Sequence, residues 1–169
     1  LEYFALIEKF VDDNIIEKAQ REQNLRKISL KLESLVKTHF NFPSEVQVKI
    51  KKLENFKGEL PSYQSVLASG MDVRAQLREE LTLSPGERTL IPTGLSVAIP
   101  KGYEIQARPR SGWAIREGIT LLNTPGTIDA DYRGEIKIIL ANLGQESVTI
   151  QDQDRVAQLV ICPVVQAQW

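Results

Sequence analysis

From Val46 onward the chain is cut into short pieces by turn residues, and that punctuation limits the fold more than any other feature. Ser84-Pro-Gly86-Glu87, Pro92-Thr-Gly94, Pro100-Lys-Gly102 and Leu143-Gly144 recur at about strand-length intervals. Between them stand short β-branched runs: Val46-Gln-Val48-Lys-Ile50, Leu95-Ser-Val97-Ala-Ile99, Ile136-Lys-Ile138-Ile-Leu140 and Val148-Thr-Ile150. The first alternates apolar and polar residues strictly, as a strand with one buried face does. Short strands separated by Gly and Pro turns are the pattern of an all-β sandwich or barrel. No internal repeat or low-complexity tract interrupts it.

Before Phe42-Pro43-Ser44 the texture differs. Residues 2–40 contain neither Gly nor Pro, and apolar residues fall at Phe4, Ile7, Val11, Leu25, Ile28, Leu32 and Leu35, with steps of three and four within each group. That spacing predicts helix. Residues 17–24 are polar, so the segment is either a helical hairpin or one long helix with a hydrated middle. Phe4 and Leu25 lie a whole number of heptads apart, which favours one stripe suited to a coiled coil or a helical partner, against a helical pair packed on its own domain. The expected organisation is a helical extension over residues 1–44 and a β domain over 45–169.

At 169 residues, 42% apolar and 25% charged, the chain is suited to a soluble globular domain with an appendage. No apolar run approaches membrane-crossing length, and no targeting segment is visible, so neither a membrane nor an export route is expected. A net charge of −1 argues against a general nucleic-acid binder. A small polyanion needs only local donors, and Arg108, Arg110, Ser111, Arg155 and Gln158 could supply them. Cys162 is the only cysteine, which excludes an intramolecular disulfide and points to a reducing, cytoplasmic setting. Within its apolar run Cys162 reads as a small buried hydrophobe. His39, the only histidine, lies in the extension, so a His-rich metal site is impossible and a catalytic His would have to come from there. The chemistry falls to carboxylates.

Two carboxylates and a phenol are crowded between the two Gly of Gly126-Thr-Ile-Asp129-Ala-Asp131-Tyr132-Arg133-Gly134-Glu135. Alone, that run reads as a turn. It has company in Ala68-Ser-Gly70-Met-Asp72-Val-Arg-Ala75, Pro109-Arg110-Ser111-Gly112, Gly118-Ile-Thr-Leu-Leu-Asn123 and Asp154-Arg155-Val-Ala-Gln158-Leu159. In that order and spacing these segments resemble the first four of the five motifs of the homotrimeric dUTP pyrophosphatase (dUTPase) family. The likeness runs from about Val46 to Trp169.

The resemblance implies a mainly β fold, a distorted jelly roll or β-barrel, assembled as a homotrimer with active sites shared between subunits. It implies hydrolysis of dUTP to dUMP and pyrophosphate, assisted by Mg2+. Asp129 then matches the base that activates water, with Asp131 as its supporting partner bonded within the turn. Asp72 matches the acidic residue that holds Mg2+ through water, an arrangement suited to an ion that dehydrates reluctantly. Arg110, Ser111 and Gly112 match a phosphate-binding turn, Gln158 donates to the same phosphates, and Arg155 supports them. Asn123 matches the amide that reads the uracil edge, able to donate and accept at once, with backbone help from Gly126 and Lys137. Tyr132 matches the ring that lies against deoxyribose and leaves no room for a 2′-hydroxyl.

Two departures accompany the resemblance. Gln153 stands before Asp154-Arg155 where the family commonly has Gly, and a left-handed conformation there would cost a Gln about 1 kcal/mol. The sequence reaches Trp169 without the Gly-rich fifth motif that closes over the nucleotide, so nucleotide binding is expected to survive better than turnover. The absence of Met at Leu1 favours a trimmed chain or fragment. A deaminase of the same superfamily is the nearest rival enzyme, but residues 136–142 carry no acidic residue for that chemistry. A different class also remains, a non-catalytic nucleotide-binding or trimeric scaffold protein whose helical extension recruits a partner.

Overall fold

The computed structural model describes residues 30–31 and 45–169. The chain falls into two units, Leu1–Glu45 and Val46–Trp169. Leu30 and Lys31 are helical; the rest of the expected helical extension, with His39 and the whole of the apolar stripe named above, lies outside the described residues. The second unit is mainly β, as the punctuated sequence requires.

Twelve strands and one short helix follow in order: β1 (Lys49–Lys52), β2 (Ser62–Tyr63), β3 (Met71–Arg74), β4 (Leu81–Leu83), β5 (Arg88–Pro92), β6 (Leu95–Ala98) and β7 (Tyr103–Arg108) come first. Then come α1 (Ser111–Glu117), β8 (Ile119–Leu121), β9 (Gly126–Ile128), β10 (Lys137–Asn142), β11 (Val148–Ile150) and β12 (Arg155–Pro163). A five-stranded sheet runs β2-β3-β12-β7-β9 and a three-stranded one β5-β10-β8, with the pairs β1-β6 and β11-β4 completing the set. Every pairing is antiparallel. Neighbours such as β3, β12 and β7 are far apart in sequence, which is the mark of jelly-roll connections.

The core is aliphatic. Ile91, Leu140 and Ile150 are fully buried, and Val73, Ile105, Ile119, Ile136 and Ile138 are nearly so. Buried polar groups are bonded, as burial demands: the Asn142 amide donates to the carbonyls of Leu83 and Glu146, both at 2.8 Å, and accepts from the Gly144 N–H at 2.9 Å. Among the described residues no buried side-chain polar atom lacks a partner, and no helix is long and apolar enough to cross a membrane.

Some local expectations shift. The alternating run 46–50 enters its ladder only at Lys49, and Ile50 is exposed. Cys162 is half-buried near the end of β12, not a core thiol. Gln153 does adopt the left-handed region, with φ 69°, and among the described residues it is the one non-Gly residue to do so.

Candidate active site

The segment between β9 and β10 carries the crowded carboxylates, and its neighbours hold it at successive points. The Ser96 hydroxyl donates to the Arg133 carbonyl at 2.8 Å, the Ile136 N–H to the Leu95 carbonyl at 2.7 Å, and the buried Thr93 hydroxyl to the Ile136 carbonyl at 2.6 Å. Within the segment the Tyr132 N–H donates to the Asp129 carbonyl at 3.1 Å, and the Arg133 guanidinium to the carbonyls of Ala130 and Tyr132 at 2.7 and 2.8 Å. These bonds make a rigid loop from a stretch with no ladder of its own.

That loop and the start of β10 enclose a pocket of about 240 Å³. Asn123, Gly126, Asp129, Tyr132 and Lys137, five residues singled out from sequence, all line it. Asp129 is exposed, and its carboxylate makes no hydrogen bond among the described residues, so it is available to a ligand or a water. Asp131 faces elsewhere. It lines a neighbouring cleft of about 540 Å³ with Lys101, Glu104 and Asp129. The expectation that Asp131 is bonded within the turn is not met: Arg133 and the backbone make those bonds, and the exposed Asp131 carboxylate is left to solvent.

The remaining candidates gather around Asp72. A bulge in β12 explains how: Ala157 pairs with Val73 and Arg155 with Arg74, so Val156 is the extra residue. An unbroken strand would put Arg155 and Gln158 on opposite faces. The bulge turns Arg155 to the face shared by Gln158, Asp72 and Arg74. Arg155 Nη1 then reaches Asp72 Oδ2 at 3.1 Å, while Arg110 Nε lies 3.5 Å from Asp72 Oδ1 and Arg110 Nη1 donates to the Arg155 carbonyl at 3.0 Å. Gln158 Nε2 donates to the Pro109 carbonyl at 3.0 Å, and its amide passes so close to Gly70 that any Cβ there would collide with it.

Ser111 and Gly112, expected in an irregular turn, open α1 instead, with Arg110 as the N-terminal flanking residue and Gly118 closing the helix in the left-handed region. Their N–H groups have no acceptor within a helix that starts there. Arg108 does not join the group. Its guanidinium is spent on Gln106 Oε1 at 2.6 and 3.1 Å. Asp72, Arg110, Ser111, Gly112, Arg155 and Gln158 thus form a second assembly apart from the five pocket residues, and none of them lines the 240 Å³ pocket.

The dUTPase family model matches residues 57–169, which takes in both assemblies. The chain belongs to the dUTPase family. Among relatives, a deoxyuridine 5′-triphosphate nucleotidohydrolase of Bdellovibrio bacteriovorus is 70% identical over 125 residues, covering 74% of this chain and 84% of that protein. One from Ehrlichia canis is 52% identical over 126 residues, covering 75% of this chain and 82% of the relative. A mutant dUTPase from phage phi11 of S. aureus, described with a structural Mg(II) ion, shares the fold with a TM-score of 0.65 at 24% identity, over 73% of this chain and 94% of that one.

The metal chemistry common to phosphoryl transfer can be tested against the side chains. Among the described residues no group of three or more His, Cys, Asp or Glu could cage an ion, and Asp72 is already paired with two guanidinium groups. The one Asp carboxylate among these candidates could meet an ion only through water, an arrangement that suits a hydrated Mg2+. Sequence reasoning about this dUTPase-family chain missed the residues that hold the loop. Thr93, Ser96 and Glu135 bond to backbone or to residues distant in sequence, and only Ser96, a short polar side chain inside an apolar run, gave a hint.

Proposed function

We propose that this chain hydrolyses dUTP to dUMP and pyrophosphate. The observation that carries the reading is the convergence of Asn123, Gly126, Asp129, Tyr132 and Lys137 on one pocket of nucleoside size in a member of the dUTPase family. Relatives named deoxyuridine 5′-triphosphate nucleotidohydrolase at 52–70% identity support it.

In this reading the base enters with its edge on the Asn123 amide, which donates and accepts together, and on the backbone of Gly126 and Lys137. Cytosine is rejected because its donor and acceptor are exchanged, leaving buried groups unpaired. Tyr132 packs on the deoxyribose. Asp129 accepts a proton from water as the water oxygen attacks the α-phosphorus; the bond to the bridging oxygen breaks and pyrophosphate leaves. Mg2+ bound with the nucleotide would supply charge neutralisation at the phosphates. Ser111, Gly112, Gln158 and Arg110 bind the phosphates, with Asp72 and Arg155 fixing Arg110; Asp72 would hold the hydrated metal through its waters.

The phosphate group and the nucleoside pocket are assigned to a site completed by another copy, within a homotrimer. Residues 1–44 are assigned as an appendage outside that chemistry, and the cytoplasm as its setting. Pyrophosphate release from dUTP, dTTP, dCTP and UTP tests the reading. Selective dUTP turnover is expected, and Asp129→Asn should keep dUMP affinity while lowering kcat by about 10²-fold or more. Equal turnover in that variant removes Asp129 from its role.

A further inference from the structure

We propose that Gly134 and Glu135 form a seat for the Tyr132 ring, with Glu135 as a positioning residue for sugar selection; this rests on the proposed dUTP hydrolysis. Tyr132 is 44% exposed, so packing alone does not hold its ring. Its hydroxyl donates to the Glu135 carbonyl at 2.9 Å. A Cβ on Gly134 would lie 2.5 Å from that hydroxyl oxygen and 2.7 Å from Cζ, which shows the ring laid back across the Gly134 backbone. Only a residue without a side chain permits that contact.

A seat must itself be fixed, and the Glu135 carboxylate does this. It is mostly buried, at 17% exposure, with Oε2 3.6 Å from Lys137 Nζ. Oε1 accepts the Gly94 N–H at 2.8 Å and the Asn55 amide at 3.4 Å. One residue thereby ties the turn between β5 and β6 to the Tyr132 hydroxyl and to the Lys137 ammonium, and Tyr132, Glu135 and Lys137 all line the pocket. Oε1 is held by the Gly94 N–H and Oε2 stands beside the Lys137 ammonium, which fixes Glu135 as part of the pocket wall. Its contribution is the depth at which Tyr132 stands, and that depth decides whether a 2′-hydroxyl fits.

The test compares Gly134→Ala, Glu135→Ala and Glu135→Gln with the unvaried chain, reading kcat/KM for dUTP and UTP alongside Tm. Relief of the Gly134→Ala collision requires the ring end to move by about 1 Å, and misplacement on that scale can cost about 10²-fold in rate. The ring can swing into solvent, so Tm should barely change while the dUTP-over-UTP ratio falls at least about tenfold. Glu135→Ala should lower the ratio similarly. Glu135→Gln keeps an oxygen for the Gly94 N–H and should hold the ratio within about threefold.

Unchanged selectivity in Gly134→Ala and Glu135→Ala overturns the seat while leaving the hydrolase reading intact. So does a Glu135→Gln as damaging as Glu135→Ala. An unvaried chain that does not prefer dUTP to UTP removes the hydrolase reading and the seat together. Gly134→Ala adds one methyl beside an exposed ring, so the comparison stands even if Glu135→Ala fails to fold.

Discussion

Gln153 offers a measurable backbone penalty next to the phosphate-side residues. Its φ of 69° is held from both sides, by its N–H donating to the Ala75 carbonyl at 3.0 Å and by Arg74 Nη1 donating to its own carbonyl at 2.8 Å. A non-Gly residue there costs about 1–2 kcal/mol. Against relief of that strain, Gln153→Gly gives the unfolded chain freedom worth about 0.5–1 kcal/mol. It also loses two long amide contacts, to the Ala75 carbonyl at 3.5 Å and the Asp152 carboxylate at 3.2 Å. At that length and exposure they contribute about 0.5 kcal/mol together. The sum puts Gln153→Gly between about 0.5 kcal/mol less stable and about 1 kcal/mol more stable. Gln153→Val loses the same amide but adds a β-branch in the left-handed region, and should be less stable than the Gly variant by about 2–3 kcal/mol. Urea unfolding at one fixed protomer concentration measures both. Gly and Val variants of equal stability would show that the amide contacts, not the backbone, govern this turn.

Asn142→Ala strands the Leu83 and Glu146 carbonyls and the Gly144 N–H in a buried site, and urea unfolding should show a loss of about 3–4 kcal/mol. Asp72→Ala leaves two half-exposed guanidinium groups that water can solvate, so stability should fall by about 1 kcal/mol or less while KM for dUTP rises. The Glu87 carboxyl is held below its ordinary range by the Ser84 N–H, at 2.8 Å, and by the Ser84 hydroxyl. Its folded value is depressed, so the stabilisation is present above the usual carboxylate range and lost as pH falls through the folded value. Thermal unfolding across acid pH should show a shallower decline for Glu87→Gln than for the unvaried chain.

What the sequence made legible follows from what is local. Val148-Thr-Ile150 coincides with β11, and 136–140 lies within one residue of the start of β10, because both runs are bounded by turns and packed on the core. The run 46–50 fails at its edges, since its pairing with β6 and not its own alternation decides where the ladder begins. Helix α1 has seven residues, too few for its period to stand out. The five pocket residues were legible because all lie in the one stretch from Asn123 to Lys137 that carries the family resemblance. The bulge at Val156 was not, though it alone brings Arg155 to Asp72. Thr93 and Glu135 were missed for the same reason: their partners lie across the sheet, and no neighbouring residue announces them.

The separation of the two assemblies leads to a prediction about copies. If a site draws Asn123, Asp129 and Tyr132 from one chain and Ser111 and Gln158 from another, two inactive variants should rescue each other. Asp129→Asn spoils the nucleoside side, and Ser111→Ala with Gln158→Ala spoils the phosphate side. Unfolded together at equal amounts and refolded, a trimer assembled at random pairs an intact Asp129 with an intact phosphate group in about a quarter of its sites. Turnover should therefore return to about a quarter of the unvaried rate, while the same variants refolded separately stay inactive. A site contained in one chain cannot be repaired by mixing, because each chain brings its own damaged half. Absence of recovery, with trimers present by sedimentation, would place both assemblies in a single-chain site.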